Sequence, residues 1–471
     1  MGKSSTDPMP EGFLTSQDPA RPGSEVTKVP IPDPREVGAM LDAASLAWPG
    51  WSASGPARAD AMEALASGIE SRGSELEDLM VTEVGKPRTE AKGEVARAVA
   101  VVRYYAQAAL DPLGEEYPSP DGKARVYATR RPLGVIGAIC PWNFPLAIPL
   151  WKTAPAIAWG NAAIIKPASE AIAVAAVLGE IAEETLPKGV LQIANLPGSR
   201  ADELHADERV SGITFTGSTR VGEGLIAACS SRGVPVQAEM GGQNPAVVCA
   251  DANLELAADL IVSGAMGYAG QKCTATRRAI AVGSVIDDLS ELLADRIGSL
   301  IAGDPDDPST IVGPLINAQA RNDFEHAVGA AQEAGATVVA TSEVPEGEGF
   351  FVPATLLRDD DPHATVNQEE TFGPLLTLIS ATDSEDALRI ANSTRYGLSG
   401  AVHTSDLTHG AELASRLDCG MQRVNYATAG VDYWAPFGGE GFSSYGPREQ
   451  GRAAREHFTA YRTLSISPSG D

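Results

Sequence analysis

The chain has 471 residues, and its 36 lysines and arginines against 62 aspartates and glutamates give a formal net charge of −26. This length predicts two or three domains, since domains commonly contain roughly 150 residues. An acidic chain of this kind does not favour a nucleic-acid backbone or an anionic membrane, both of which attract clustered cations. The hydrophobic fraction of 43% is typical of a globular protein. We therefore expect neither a nucleic-acid nor a membrane partner.

The cysteine content indicates a reducing, cytoplasmic setting. An odd number excludes complete internal pairing, and no CxxC pair or neighbouring histidine predicts a metal site. Free thiols are typical of reducing compartments. The first 20 residues lack the apolar segment of a signal peptide, and no membrane span is predicted. The five cysteines are Cys140, Cys229, Cys249, Cys273 and Cys419.

The first predicted elements are a loosely ordered segment over residues 1–35, with one short strand around residues 26–31, and a helical region. From residue 34 to about residue 110, apolar side chains recur at helical spacing, as at Met62, Leu65 and Ile69. Turn-forming residues then surround an alternating strand over residues 124–129, which we interpret as an arm for subunit contacts.

Buried apolar strands alternate with helices along the rest of the chain. This order predicts βαβ units and parallel sheets, with a domain boundary near residue 240. The predicted strands cover residues 134–140, 162–166, 190–194, 212–215, 236–240, 246–249 and 278–282.

Three side chains are candidates for catalysis. Cys273 lies among small and polar residues in GQKCTA, where a substrate can approach a nucleophilic thiolate. Glu239 ends an apolar strand before Gly-Gly, where a carboxylate can act as a general base through a water molecule. Asn143, in PWNFP, carries an NH2 group that can stabilise an oxyanion. The structural alternatives are a core thiol, a turn carboxylate and an Asn turn.

Two further segments are candidates for binding a ligand. Thr216-Gly217-Ser218 joins a strand to a helix, and helix N-termini attract phosphate. Ser218 is also a good N-cap residue, which is the structural alternative. Lys166 closes a predicted parallel strand, where α/β sheets bind ligands, and can bond ribose hydroxyls unless it is a surface lysine.

Together these segments resemble the aldehyde dehydrogenase superfamily over about residues 18–464. Glu239 and Cys273 lie 34 residues apart, as in the family. The joint occurrence favours the catalytic and ligand-binding interpretations. The matching motifs, in the family's order, are PWNFP, KPAS, FTGSTRVG, EMGG, GQKC, EETFGP and PFGG.

The resemblance implies an α/β fold with three parts and assembly into a homodimer or homotetramer. Strands near residues 125–129 and 461–466 are expected to supply the shared sheet. The parts are a Rossmann-like parallel-sheet cofactor domain over residues 1–112 and 133–239, an α/β catalytic domain with the nucleophilic cysteine over residues 240–440, and a β-hairpin oligomerisation arm over residues 113–132 and 455–471.

The resemblance also implies oxidation of an aldehyde to a carboxylic acid, with hydride transfer to NAD(P)+. Cys273 is expected to form a thiohemiacetal, and Asn143 with the Cys273 N–H to hold the oxyanion. After hydride transfer, Glu239 is expected to activate the water that hydrolyses the thioester. Lys152 is expected to support the site or relay a proton.

The cofactor is expected to be NAD or NADP. Ser169 stands where NAD-specific members often carry glutamate, and serine tolerates a 2′-phosphate, so NADP is tolerated or preferred. The residues expected to bind the cofactor are Trp142, Lys166, Ser169, Gly217, Ser218, Gly222, Glu370 and Phe372.

The subgroup resemblance is to α-ketoglutaric semialdehyde (2,5-dioxovalerate) dehydrogenases, and it rests on the EMGG turn, residues 273–276 and residues 443–451. We interpret these segments as scaffold. Arg277 and Arg278 are candidates to contact a substrate carboxylate, although an arginine at position 278 is frequent in the family and is expected to be structural. The alternatives are oxidation of aromatic or aliphatic aldehydes and a cysteine-dependent esterase or acyl hydrolase.

Overall fold

In a computed structural model of the protein, residues 12–120, 122–430 and 432–467 are described, and they form an α/β structure. The strands are β1 (Phe13–Gln17), β2 (Glu25–Pro30), β3 (Gly114–Tyr117), β4 (Arg125–Pro132), β5 (Val135–Ile139), β6 (Ala162–Lys166), β7 (Leu191–Ile193), β8 (Val210–Thr216), β9 (Val236–Glu239), β10 (Asn244–Val248), β11 (Thr276–Val282), β12 (Thr337–Thr341), β13 (Thr355–Arg358), β14 (Leu375–Ala381), β15 (Tyr396–Gly397), β16 (Ser399–His403), β17 (Met421–Val424), β18 (Glu440–Gly441), β19 (Ser444–Tyr445) and β20 (Thr459–Ile466). The helices are α1 (Pro34–Trp51), α2 (Gly55–Ser71), α3 (Gly73–Val84), α4 (Arg88–Ala108), α5 (Ala147–Ala158), α6 (Ile172–Thr185), α7 (Asp202–His205), α8 (Thr219–Ser230), α9 (Leu254–Met266), α10 (Ile286–Gly298), α11 (Ala318–Glu333), α12 (Thr365–Gln368), α13 (Ser384–Ala391), α14 (Leu407–Ser415) and α15 (Arg455–Phe458).

The N-terminal segment is more ordered than the sequence suggested. β1 and β2 form an antiparallel hairpin, where one short strand was expected. Leu14 and Ser16 are buried and their neighbours are exposed, which is the alternation of a strand with one covered face. The expectation of a loosely ordered lead-in is therefore wrong for residues 12–30, and its part over residues 1–11 lies outside the described residues.

The predicted helical region consists of α1 to α4. Asp33 caps α1, because its side chain accepts hydrogen bonds from the N–H groups of Arg35 and Glu36. Met62, Leu65 and Ile69 of α2 are fully buried, as their spacing predicts. The long helix α4 packs against α2, α3 and α5, and α5 in turn packs against β5 and β6 of the first sheet.

The first sheet has the strand order β19-β9-β8-β5-β6-β7. Its strands are parallel except β19, which pairs antiparallel with β9. Since parallel strands end at the same edge, Lys166 of β6, Thr216 of β8 and Glu239 of β9 lie along one edge of the sheet. This is the edge where open α/β sheets bind ligands.

The second sheet has the order β12-β13-β14-β11-β10-β16-β17, and only β12 is antiparallel to its neighbour. The chain passes from one sheet to the other between β9 and β10, and Cys273 shortly precedes the central strand β11. The predicted α/β fold with parallel sheets is confirmed. The domain boundaries given above stay a prediction.

A third sheet combines distant parts of the chain in the order β20-β4-β3. β20 pairs with β4 over eight residues, from Thr459 opposite Pro132 to Ile466 opposite Arg125. Tyr461, Leu464 and Ile466 on β20 are exposed. Residues 468–471 of the predicted arm lie outside the described residues. Among the described helices, none combines the length and the apolarity needed to cross a membrane.

Candidate active site

Cys273 lies in a strained loop between α9 and β11. Tyr268 and Ala269, a few residues earlier, both have φ of 50°, a left-handed conformation that costs energy for residues with a side chain. Gly270 has φ of 67°, and a Cβ atom there would collide with the carbonyl oxygen of Gly373. The backbone is therefore held in one particular shape where it presents the half-buried thiol.

The surroundings of Cys273 favour the protonated thiol over the thiolate. Burial raises its pKa, and the carboxylates of Glu370 and Glu239 raise it further. Because the thiolate is the nucleophile, a reaction at this sulfur needs a group that takes the proton.

Glu239 is enclosed at the end of β9, with 1% of its surface exposed. Gln237 donates a hydrogen bond of 3.0 Å to its Oε1 atom, and the Ser444 hydroxyl donates to its Oε2 atom. Burial raises the pKa of the Glu239 carboxyl well above its usual range, and the nearby charge of Glu449 raises it further. A carboxyl with a raised pKa suits a group that accepts and returns a proton near neutral pH.

Lys152 connects α5 to the same polar cluster. Its Nζ atom forms an ion pair with Glu449 and donates to Thr214 Oγ1 at 3.1 Å and to the Phe215 carbonyl at 2.9 Å. Thr214 in turn donates to Gln237 at 2.7 Å, and Gln237 donates to Glu239. A chain of polar contacts therefore links Lys152 to Glu239.

Asn143 lies beside the loop that carries Cys273. Its Nδ2 atom donates to the carbonyl oxygen of Gln271 at 2.9 Å, and its Oδ1 atom accepts from the Phe144 N–H at 3.1 Å. An amide NH2 has two hydrogens, so one of them serves this contact and the other can point to a substrate oxygen. The side chain is 4% exposed, which suits a donor in a low-dielectric site.

The turn after Glu239 brings the two halves of the site together. Gly242 donates its N–H to Glu370 Oε1 at 3.1 Å, and a Cβ atom on Gly242 would lie 2.6 Å from the Cys273 carbonyl oxygen. A Cβ atom on Gly241 would collide with the Glu370 carboxylate. The two glycines are therefore needed because Glu370 and the Cys273 backbone both approach this turn closely.

The predicted phosphate site lies where β8 ends and α8 begins. Ser218 is the exposed N-cap residue of α8, yet its side chain makes no capping hydrogen bond, so its hydroxyl can meet a ligand. A Cβ atom on Gly222 would lie 2.5 Å from the sulfur of Met240, and one on Gly217 would lie 2.6 Å from the Phe215 ring. The helix start therefore packs closely against the sheet.

Lys166 and Ser169 flank the end of β6. Lys166 is 5% exposed and donates to the Pro167 carbonyl at 3.1 Å, which rules out the surface-lysine alternative. Burial lowers the pKa of its ammonium group. Ser169 is half-buried in a short helical turn, and the neighbouring Glu170 accepts a hydrogen bond of 3.3 Å from Asn317.

A cavity of about 540 Å³ lies between α11 and the segment that carries Glu370 and Phe372. Its lining includes Trp142, whose ring meets the Phe372 ring edge to face at 5.7 Å. Asn317, the partner of Glu170, also lines it. Of the residues expected to bind the cofactor, Trp142, Glu370 and Phe372 line this cavity, whereas Lys166, Ser169 and the start of α8 lie outside it.

The structure corrects the interpretation of residues 443–451 as scaffold alone. Ser444 and Glu449 belong to this segment, and both contact the polar cluster around Glu239 and Lys152. Sequence reasoning also missed Gln237. The alternation of β9, which places residues 237 and 239 on one face, was the available signal.

The two candidate arginines donate hydrogen bonds to main-chain carbonyl groups. Arg277 donates to the carbonyl oxygens of Gly373 and Gly270, at 2.6 and 2.7 Å. Arg278 donates to the main-chain carbonyls of residues 243, 390 and 391. Both side chains are buried and hold loops of the second sheet in place, which favours a structural role over contact with a substrate carboxylate.

Comparison with known proteins agrees with this geometry. Residues 9–464 match the aldehyde dehydrogenase family. An alpha-ketoglutaric semialdehyde dehydrogenase of Bacillus subtilis (strain 168) is 38% identical over 406 residues, which is 85% of this chain and 83% of that protein. An alpha-ketoglutarate semialdehyde dehydrogenase of Haloferax volcanii is 36% identical over 455 residues, covering 95% of this chain and 94% of that protein.

Solved structures show the same fold. Betaine aldehyde dehydrogenase from Staphylococcus aureus in complex with NAD+ superposes with a TM-score of 0.92 at 27% identity, covering 98% of this chain and 92% of that one. An NADP-dependent enzyme of E. coli superposes with a TM-score of 0.92 at 31% identity, covering 97% of this chain and 95% of that one.

The chain therefore belongs to the aldehyde dehydrogenase family. It is an NAD(P)-dependent aldehyde dehydrogenase, which oxidises an aldehyde to a carboxylic acid. The sequence predictions of family, fold class and enzyme class are confirmed.

Proposed function

We propose that Cys273 is the nucleophile of this oxidation and that Glu239 is the base for hydrolysis. The observation that carries the proposal is the turn at Gly241 and Gly242, two residues after Glu239. At Gly242 this turn packs against the backbone of Cys273, so the carboxylate and the thiol belong to neighbouring segments. The raised pKa of Glu239 supports a role as proton acceptor.

The reaction begins when the half-buried Cys273 thiol gives up its proton to solvent water and the sulfur bonds to the aldehyde carbon. The carbonyl oxygen becomes an oxyanion, which the Asn143 amide and the Cys273 N–H stabilise. A bound NAD or NADP supplies the hydride acceptor, and loss of the hydride from carbon leaves a thioester. Glu239 then takes a proton from water as the water oxygen attacks, and the carbon–sulfur bond breaks to release the acid.

The other site residues have supporting roles in this proposal. The adenosine and pyrophosphate side of the cofactor binds at the edge where parallel sheets bind ligands. The residues that hold it there are Lys166, Ser169, Gly217, Ser218 and Gly222. The nicotinamide side is held by Trp142, Glu370 and Phe372. Lys152 relays a proton or supports Glu239, through the polar contacts that join them.

Two variants test the roles of the sulfur and the carboxylate. Cys273→Ala should bind the cofactor with unchanged affinity and reduce none of it when an aldehyde is added. Glu239→Gln should give one burst of cofactor reduction per site, followed by little turnover, because the thioester forms but is not hydrolysed. Steady turnover of Glu239→Gln at the wild-type rate would contradict the assigned base.

We propose α-ketoglutaric semialdehyde as the substrate. The support is the names of the relatives that are 34–38% identical to this chain. The assay is kcat/KM for this semialdehyde against pentanal, which has the same number of carbon atoms and no carboxylate. A preference of about tenfold or more is expected. Equal values would favour the alternative, a less selective oxidation of aliphatic or aromatic aldehydes.

We also propose that the enzyme is a cytoplasmic homodimer or homotetramer. The exposed apolar residues of β20 support assembly through the third sheet, since an uncovered strand with such residues invites pairing. The five cysteines are unpaired, which supports a reducing compartment. Sedimentation equilibrium tests the assembly, and a monomer at micromolar concentration would contradict it.

A further inference from the structure

Lys86 holds a fully buried ammonium group under the loop that carries Asn143. The side chain is 0% exposed, and its Nζ atom donates to the Asn143 carbonyl oxygen at 2.8 Å. The same atom lies 4.0 Å from the centre of the Phe144 ring and 4.4 Å from that of Tyr268. Tyr268 is one of the two left-handed residues before Cys273, so Lys86 touches both sides of the site.

Glu94 on α4 is the ion partner of Lys86 and is equally enclosed. Its Oε1 atom accepts hydrogen bonds of 3.0 Å from the N–H groups of Leu146 and Ala147, at the start of α5. The pair therefore fixes the loop 143–147 at both ends, at Asn143 through Lys86 and at Ala147 through Glu94.

A buried ion pair adds little net stability by itself, because desolvation of two charges offsets their attraction. A positioning role explains better why both charges meet this loop. Helix α4 also reaches the other loop of the site, where Glu90, one turn before Glu94, pairs with Lys272 at 3.3 Å. One helix thus contacts the loops that carry Asn143 and Cys273.

We propose that Lys86 and Glu94 are positioning residues that aim the Asn143 amide at the oxyanion. The inference rests on the proposed role of Asn143. Lys86 holds the main-chain carbonyl of Asn143, and the Gln271 carbonyl accepts one hydrogen of the Asn143 side-chain amide. The direction of the second amide hydrogen is therefore fixed. The pair acts through Asn143, in the step that forms and oxidises the thiohemiacetal.

The test is a double-mutant cycle between the ion pair and Asn143. Lys86→Met with Glu94→Gln removes both charges and keeps the volumes, and it is made in the wild type and in Asn143→Ala. The readout is the burst rate of cofactor reduction at saturating aldehyde and cofactor. In the wild type, the paired change should lower this rate about tenfold. In Asn143→Ala it should lower the rate by less than about twofold, because the group being aimed is gone.

An equal loss in both backgrounds, or no loss in the wild type, would overturn the inference. A burst rate of Asn143→Ala at the wild-type level would instead refute the proposed role of Asn143, so the two failures are distinguishable. If the double variant does not fold, Glu94→Gln alone, which keeps the shape of the side chain, serves in the same cycle.

Glu83 offers a matched control. It is also a buried carboxylate at a helix start, where it accepts hydrogen bonds from the N–H groups of Ala173 and Val174 at 2.7 and 3.1 Å. Glu83→Gln therefore makes the same chemical change away from Asn143, and it should leave the burst rate within about twofold of the wild type. Affinity for the cofactor, measured by fluorescence titration, should be unchanged in Glu94→Gln.

Discussion

Lys152 and Glu449 form a buried ion pair, although 297 residues separate them in the chain. The pair joins α5 beneath the first sheet to the C-terminal segment that follows β19. Glu449 thereby brings a negative charge close to Glu239, and this charge is the second cause, after burial, of the raised pKa of Glu239. If Glu239 is the base, as proposed, the pH dependence of hydrolysis is set partly by a residue in another segment of the chain.

Glu449→Gln should shift the pH dependence of thioester hydrolysis to lower pH. Removing the negative charge lowers the pKa of Glu239, and the remaining Lys152 cation acts in the same direction. Since the base must be ionised to accept a proton, the rising limb of the hydrolysis rate then begins at a lower pH. The measurement is the hydrolysis rate of the acyl-enzyme, formed from an activated ester, over a range of pH. An unchanged midpoint would contradict the coupling.

Ser444→Ala should shift the same limb in the opposite direction. The Ser444 hydroxyl donates a hydrogen bond to Glu239, which stabilises the ionised carboxylate and lowers its pKa. Without this donor the pKa of Glu239 rises, so hydrolysis needs a higher pH. General damage to the site would shift the pH dependence of Glu449→Gln and Ser444→Ala in the same direction. Opposite shifts would therefore show that both substitutions act through the pKa of Glu239.

Ser169→Glu should select against NADP. A carboxylate at this position repels the 2′-phosphate, and a penalty of about 1.4 kcal/mol corresponds to a tenfold change. We expect the ratio of kcat/KM for NADP to that for NAD to fall about tenfold or more. Ser169→Gln is the matched control, since it adds the same length without the charge. Strict use of NAD by the wild type would refute the expectation that Ser169 admits NADP.

Glu83→Gln should change how the stability of the protein depends on pH. Burial raises the pKa of Glu83 from 4.5 to about 7. A carboxyl whose pKa is raised in the folded state stabilises the fold below the unfolded pKa, and this contribution is lost as pH rises through the folded pKa. The free energy of unfolding of the wild type, relative to Glu83→Gln, should therefore fall by roughly 3 kcal/mol between pH 4.5 and pH above 7. Denaturant titrations of both proteins at several pH values measure this, and a constant difference would contradict it.

The sequence predicted the features of the site that local patterns encode. Lys166 and Glu239 each end a short apolar strand, and parallel strands carry their last residues to one edge. Their common position at one edge of the sheet was therefore predictable, although they lie far apart in the chain. The helical region was predicted equally well, because its apolar side chains recur at helical spacing.

Contacts made by short or irregular segments were not predictable in this way. β19 has two residues, so residues 444–449 carry no periodic signal that would place them beside β9. The sequence analysis did not single out Lys86 or Glu94, because charged residues near the start of a helix are usually solvated. The Phe144 and Tyr268 rings cover the ammonium group of Lys86, which only the folded structure shows.

The antiparallel pairing of β19 with β9 has a consequence for how the enzyme is made. Glu239 leaves the ribosome 205 residues before Ser444, its hydrogen-bond donor. Until residues 444–449 have been added to the chain, the carboxylate lacks both the hydrogen-bond donor and the charged neighbour that shift its pKa. Because contacts between residues far apart in the chain are slow to form in folding, the surroundings of the proposed base are complete only after β19 has paired with β9.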